Sequence, residues 1–159
     1  MTPWTPETLA AHVDGFLRAT LTREQWAPHT SHLAVTTVLC RGRPLPAALE
    51  AVRTGIQTIN AAIGVPAEAY HETVTCFYVR LVHRVVLRRD DGQADATLVG
   101  AVTELLGSDK DARLSIWRRC YTAPEALLAS ELARVEWVAP TLLSVEACAD
   151  VLVGGSKAD

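Results

Sequence analysis

Residues 45–64, LPAALEAVRTGIQTINAAIG, carry apolar side chains at alternating three- and four-residue steps: Leu49, Val52, Ile56, Ile59 and Ile63. That spacing follows the α-helical repeat and does not suit a strand, whose faces alternate every second residue. Gly64 follows at the place where a left-handed residue closes a helix, and glycine has no Cβ to clash there. Start signals recur along the chain. Thr5 precedes Pro6 and Glu7, an N-cap with proline at the first helical position. Thr22 with Gln25, and Thr122 with Glu125, have the spacing at which two side chains satisfy each other's backbone amides. Helices are therefore expected near 6–19, 28–42, 46–63, 69–89, 95–106, 111–120 and 123–136. RRDDGQAD at 88–95 is the most loop-like internal segment, and no strand pattern or internal repeat intervenes. The fold class expected is all-α, a compact antiparallel bundle of about five to seven helices. A single domain over 1–153 and a frayed tail over 154–159 complete that expectation.

Composition narrows the functions open to such a fold. A chain of 159 residues can bury one sizeable core, and 49% hydrophobic with 21% charged residues is globular rather than disordered. A net charge of −3 supplies no basic field for nucleic acid or an anionic membrane, so neither is expected as a partner. No apolar run approaches the roughly 20 residues that cross a bilayer, and MTPWTPETLA does not read as a signal peptide. Cys40, Cys76, Cys120 and Cys148 lack C-x-x-C spacing and read as reduced, buried thiols of a cytoplasmic protein. G-x-S-x-G, a phosphate-binding glycine loop and a dinucleotide fingerprint are all absent, which sets those enzyme classes aside.

The informative residues are polar ones placed on apolar helix faces. In AEAYHETVTCFYVR, Val74, Phe77, Tyr78, Leu81 and Val85 share a face whose edge includes His71, while Glu72 falls on a stripe with Cys76 and His83. His29 and His32 are three residues apart and hence neighbours, with Thr36, Leu39 and Cys40 continuing their face. Asn60 falls within the apolar arc of its helix. An up–down bundle lets His29, His32, Asn60, His71 and Glu72 converge at one end. Such a set suits a divalent transition metal (Zn, Fe, Cu or Mn): His29, His32 and His71 as ligands, Glu72 as a ligand or general base, Tyr70 and Asn60 orienting. The structural alternative is a hydrogen-bonded helix junction, with Glu72 favouring a helix N-terminus and His71 joined to Asn60. Near the C-terminus, Trp117, Tyr121, Arg134 and Trp137 either line a pocket or pack the core, Arg134 then pairing with Glu131 or Glu136.

In order, HTSHL, a helix ending INAAIG, YHETVT and CYTAPEALLASELARVEWVAP resemble an uncharacterised family of small all-helical bacterial proteins with H-x-x-H-L and Y-H-E-T-x-T motifs. The resemblance spans roughly residues 20–142 and implies positions of interest rather than an activity: His29, His32, Tyr70, His71, Glu72, Thr73, Thr75 and Arg134. Thr141 stands where that family has Asp, and Thr122 where it has Ser. Two functions follow as expectations. One is a small-molecule enzyme using the His/Glu site, with or without metal and without a nucleotide cofactor. The other is a helical ligand-binding or interaction module, compatible with a homodimer, in which the cluster is structural.

Overall fold

The computed structural model describes residues 3–155, and among them every regular element is helical. In chain order these are α1 Pro6–Leu17, α2 Arg23–Trp26, α3 His29–Cys40, α4 Leu45–Ala62, α5 Glu72–Arg89, α6 Asp95–Leu106, α7 Lys110–Cys120, α8 Pro124–Ala129, α9 Glu131–Val135 and α10 Val145–Gly155. A 3-10 turn, Ala67–Ala69, leads into α5. The long helices form the expected all-α bundle.

Several start and stop signals act as their chemistry dictates. Thr5 accepts the Thr8 amide with Pro6 in the first turn, and Thr22 and Gln25 form a reciprocal capping box. Gly64 closes α4 with φ of +74°, where a Cβ would be strained. Two expectations fail locally. Thr122 does not cap a helix with Glu125: α8 starts one residue later behind Ala123, because Pro124 favours the first helical position. Glu125 pairs instead with Arg118 at 3.2 Å. The helix expected over 123–136 is broken at Ser130, whose hydroxyl accepts the Ala133 amide and begins α9. Helix α10 extends through Gly155, two residues into the expected tail; residues 156–159 lie outside the described residues.

Helix α5 is the centre of the bundle. Phe77, Leu81, Val82 and Val85 are fully buried, and α3, α4, α6, α9 and α10 all pack on it. Phe77 meets Trp117 edge-on at 4.8 Å, tying α5 to α7. Arg84 and Asp150 form two 2.9 Å hydrogen bonds that fasten α10 to the same helix. At the opposite end of the chain's packing order, Phe16 of α1 lies against bare backbone at Gly55 of α4.

A Cβ at Gly55 would overlap the Phe16 ring, which is only 1% exposed and has little room to move. Alanine gains about 1 kcal/mol of helix propensity over glycine, whereas overpacking a rigid core costs about 1–3 kcal/mol. Gly55→Ala should therefore lower unfolding free energy by about 1 kcal/mol in urea titration, against the propensity trend.

Candidate functional site

The heads of α3, α5 and α7 meet at one end of the bundle, and each residue of the YHET stretch there does a different structural job. His71 is the N-cap of α5: its Nδ1 accepts the Val74 amide at 3.3 Å. That bond uses the Nδ1 lone pair, so the ring proton of the neutral imidazole is assigned to Nε2. Nε2 is buried and lies near the Leu127 and Leu128 carbonyls without a well-formed hydrogen bond to either. Burial, then the charge of Arg134, lower the His71 pKa below its ordinary 6.5.

Glu72 begins α5 and is fully occupied. Arg53 of α4 reaches both its oxygens, with Nη2 to Oε1 at 2.5 Å, while the Tyr70 hydroxyl donates to Oε2 at 2.6 Å. The Cys76 thiol donates at 3.1 Å. Burial alone would raise the Glu72 pKa, but the bonds from Arg53, Tyr70 and Cys76 outweigh it and hold the carboxyl at about 2. A carboxylate bound so tightly is a poor proton acceptor, which counts against Glu72 as a general base and leaves it as an anchor between α4 and α5. Thr73, wholly buried, donates to the Glu136 carbonyl at 2.7 Å and accepts the Val138 amide at 3.1 Å.

The remaining candidates divide. Asn60 accepts from the Trp26 indole at 3.2 Å and so serves α2 rather than His71. His32 is stacked flat on Trp26, ring centroids 3.9 Å apart, and burial lowers its pKa to about 4. His29 meets Tyr78 edge-on at 5.8 Å; burial, then the Arg113 charge, bring it to about 4 against the opposing Asp109. Its Nε2 is also buried without a partner. Arg134 donates to the Glu68 carbonyl at 2.8 Å and pairs with neither Glu131 nor Glu136. Thr122 and Thr141, the two departures from the family pattern, touch each other at 2.9 Å, and Thr141 also accepts the Thr122 amide. Cys40 donates weakly to the Val79 carbonyl inside the core.

These placements create two adjoining cavities. One of about 70 Å³ is lined by His29, His32, Thr36, Thr75, Tyr78 and Arg113 among others. The second, about 210 Å³, has His71, Trp117, Leu128 and Arg134 on its walls and shares Val74, Tyr78 and Arg113 with the first. An open basin of about 730 Å³ lies beyond, with Tyr70, Glu72 and Arg134 on its surface. Among the described residues, no group of three or more His, Cys, Asp or Glu side chains is placed to hold a metal ion. The histidines are brought to neighbouring cavities but not to one ligand shell. The His71 cap, the His32 stack and the Glu72 ion pair each commit a side chain elsewhere.

Sequence reasoning missed Arg53 and Arg113. Arg53 could be read as an i, i+3 partner of Glu50, a pair present at 3.0 Å, but its bond to Glu72 crosses helices. Arg113 had no motif around it. His12 was also missed; its Nε2 lies 2.5 Å from the buried Ser31 hydroxyl. No family model, curated protein or solved structure matches this chain.

Two measurements check the electrostatics. Glu72 falls from an ordinary 4.5 to about 2, which by linkage is worth at most about 3 kcal/mol of stability. Because the folded pKa is the lower one, that stability is complete above pH 4.5 and disappears as pH falls toward 2. The stability gap between wild type and Glu72→Gln should follow the same course in urea titrations. The His29 ring should remain neutral down to about pH 4 in an NMR titration, at which point its carbon-bound protons shift.

Proposed function

We propose that this chain is a small-molecule enzyme whose ligand enters the adjoining cavities at the heads of α3, α5 and α7, and whose neutral imidazoles do the proton chemistry. The observation that carries the reading is that His29 Nε2 and His71 Nε2 are buried, make no well-formed hydrogen bond among the described residues although the Leu127 and Leu128 carbonyls lie near His71, and belong to residues on the walls of those cavities. An unsatisfied buried polar atom costs about 1–3 kcal/mol, and a ligand oxygen or nitrogen offered to each would remove that cost. His71, with its proton on Nε2, is a hydrogen-bond donor to a ligand oxygen; His29, neutral at pH 7, is the group that can take or relay a proton. Tyr70 and Glu72 act as positioning residues, holding the first turn of α5 and with it the His71 ring. Binding without turnover is the non-enzymatic form of the same site.

The test uses His71→Asn, since asparagine keeps an N-cap acceptor for the Val74 amide but removes the Nε2 proton. A fragment library is screened by NMR against the wild-type histidine ring signals. Fragments that shift the His29 and His71 rings together, and bind about tenfold more weakly to a folded His71→Asn, are the expected result. Fragments that leave both rings unmoved would sink the reading. Near-stoichiometric Zn, Fe, Cu or Mn in protein purified without chelator, lost in folded His71→Ala, would replace it with a metal centre.

A further inference from the structure

We infer that the ligand of the 210 Å³ cavity is an organic carboxylate with a short apolar body, its anionic end held by Arg113 and Arg134. The inference rests on the small-molecule reading above and adds the chemical class. Its basis is the inventory of the cavity wall. No aspartate or glutamate lines this cavity. Two polar groups on the wall are already spent: the Tyr78 hydroxyl donates to the Arg113 carbonyl at 3.0 Å, and the Trp117 indole donates to the Pro124 carbonyl at 3.3 Å. The side-chain polar groups that remain are two guanidinium groups and the Nε2–H of His71, all of them donors, with the Leu127 and Leu128 carbonyls near His71.

Among the described residues, neither arginine has a carboxylate partner. Among the described residues, the ion pairs involve Arg18, Arg41, Arg53, Arg84, Arg88 and Arg118, but not Arg113 or Arg134. The nearby carboxylate Asp109 accepts the Ala112 amide as the N-cap of α7. Arg134 spends one donor on the Glu68 carbonyl and keeps its charge. A planar guanidinium matches a carboxylate with two parallel N–H donors, so an anion of that shape fits better than a neutral oxygen.

The rest of the wall is apolar: Val74, Leu114, Trp117 and Leu128. A cavity of about 210 Å³ has room for a carboxylate on a ring or short chain and is larger than a bare inorganic anion needs. A polar head among donors and a greasy body on Trp117 is the division of labour seen in small-molecule sites.

The test compares benzoate, benzamide and inorganic phosphate on the intact protein, read by NMR shifts of the His71 ring, with wild type, Arg113→Gln and Arg134→Gln each checked for folding by circular dichroism. Among the described residues, the bonds of Arg113 are made by its backbone and survive its replacement. The expected result is benzoate binding about tenfold or more tightly than benzamide, with that preference lost in either variant and phosphate not competing. Equal binding of benzoate and benzamide overturns the carboxylate inference while leaving the small-molecule site standing. Competition by phosphate alone overturns the apolar-bodied ligand. If none of the three moves the His71 ring, both the inference and the reading beneath it fall.

Discussion

The first turn of α5 is held by three consecutive residues that reach three different places, and the candidate site depends on that anchorage. His71 caps the helix itself, Glu72 binds Arg53 on α4, and Thr73 clasps the backbone of residues 136 and 138. Removing His71 or Thr73 leaves backbone polar groups without their partner, at a cost of about 1–3 kcal/mol where they are buried, and removing Glu72 cuts the tie to α4; each loosens the helix that carries Val74 and Tyr78 into both cavities. A histidine and a glutamate at the head of a core helix are therefore not an anomaly in a hydrophobic segment. They are how the segment is fixed.

This arrangement keeps the Glu72 carboxylate off the walls of the two inner cavities. Glu72, the residue best suited by type to be a base, is neutralised by Arg53 and faces the open basin with Tyr70. The imidazoles that look inward are kept neutral by burial, and the arginines beside them carry no carboxylate partner. Positive charge thus collects on a partly covered, largely apolar wall, where an opposite charge is worth more than on a fully exposed surface. The side chains that complete the walls, Trp117 and Tyr78, have their own polar atoms satisfied by backbone carbonyls, so they present only apolar faces.

Much of the frame was readable from local chemistry. The period of residues 45–64 placed α4, and the angular position of His71 put it at the edge of the inward face, beside Tyr78; the Thr22–Gln25 spacing marked a helix start, but the four-residue α2 it opens was not among the helices expected. The split at Ser130 was less visible, since LASELARVEW reads equally as one helix or two until the backbone finds its partners. Helix α10 escaped because its apolar residues, Val145, Cys148, Ala149 and Val153, follow a segment dense in turn residues. The partners of the polar residues were not readable at all. Arg53 and Glu72 are nineteen positions apart, and nothing in either neighbourhood marks them as a pair.

What the amino-acid order determined by itself was the all-α class and the long helices from α1 to α7, because hydrogen bonding within a helix and the repeat of apolar residues are local properties. It also allowed histidines and a carboxylate to converge near one end of an up–down bundle. Tertiary packing decided what they do there. Trp26 took Asn60 and stacked on His32, Arg53 took Glu72, and Arg113 arrived from α7 to stand between the two cavities. Those choices turn on distances of a few ångströms between residues far apart in the chain, and only the packed structure holds such distances.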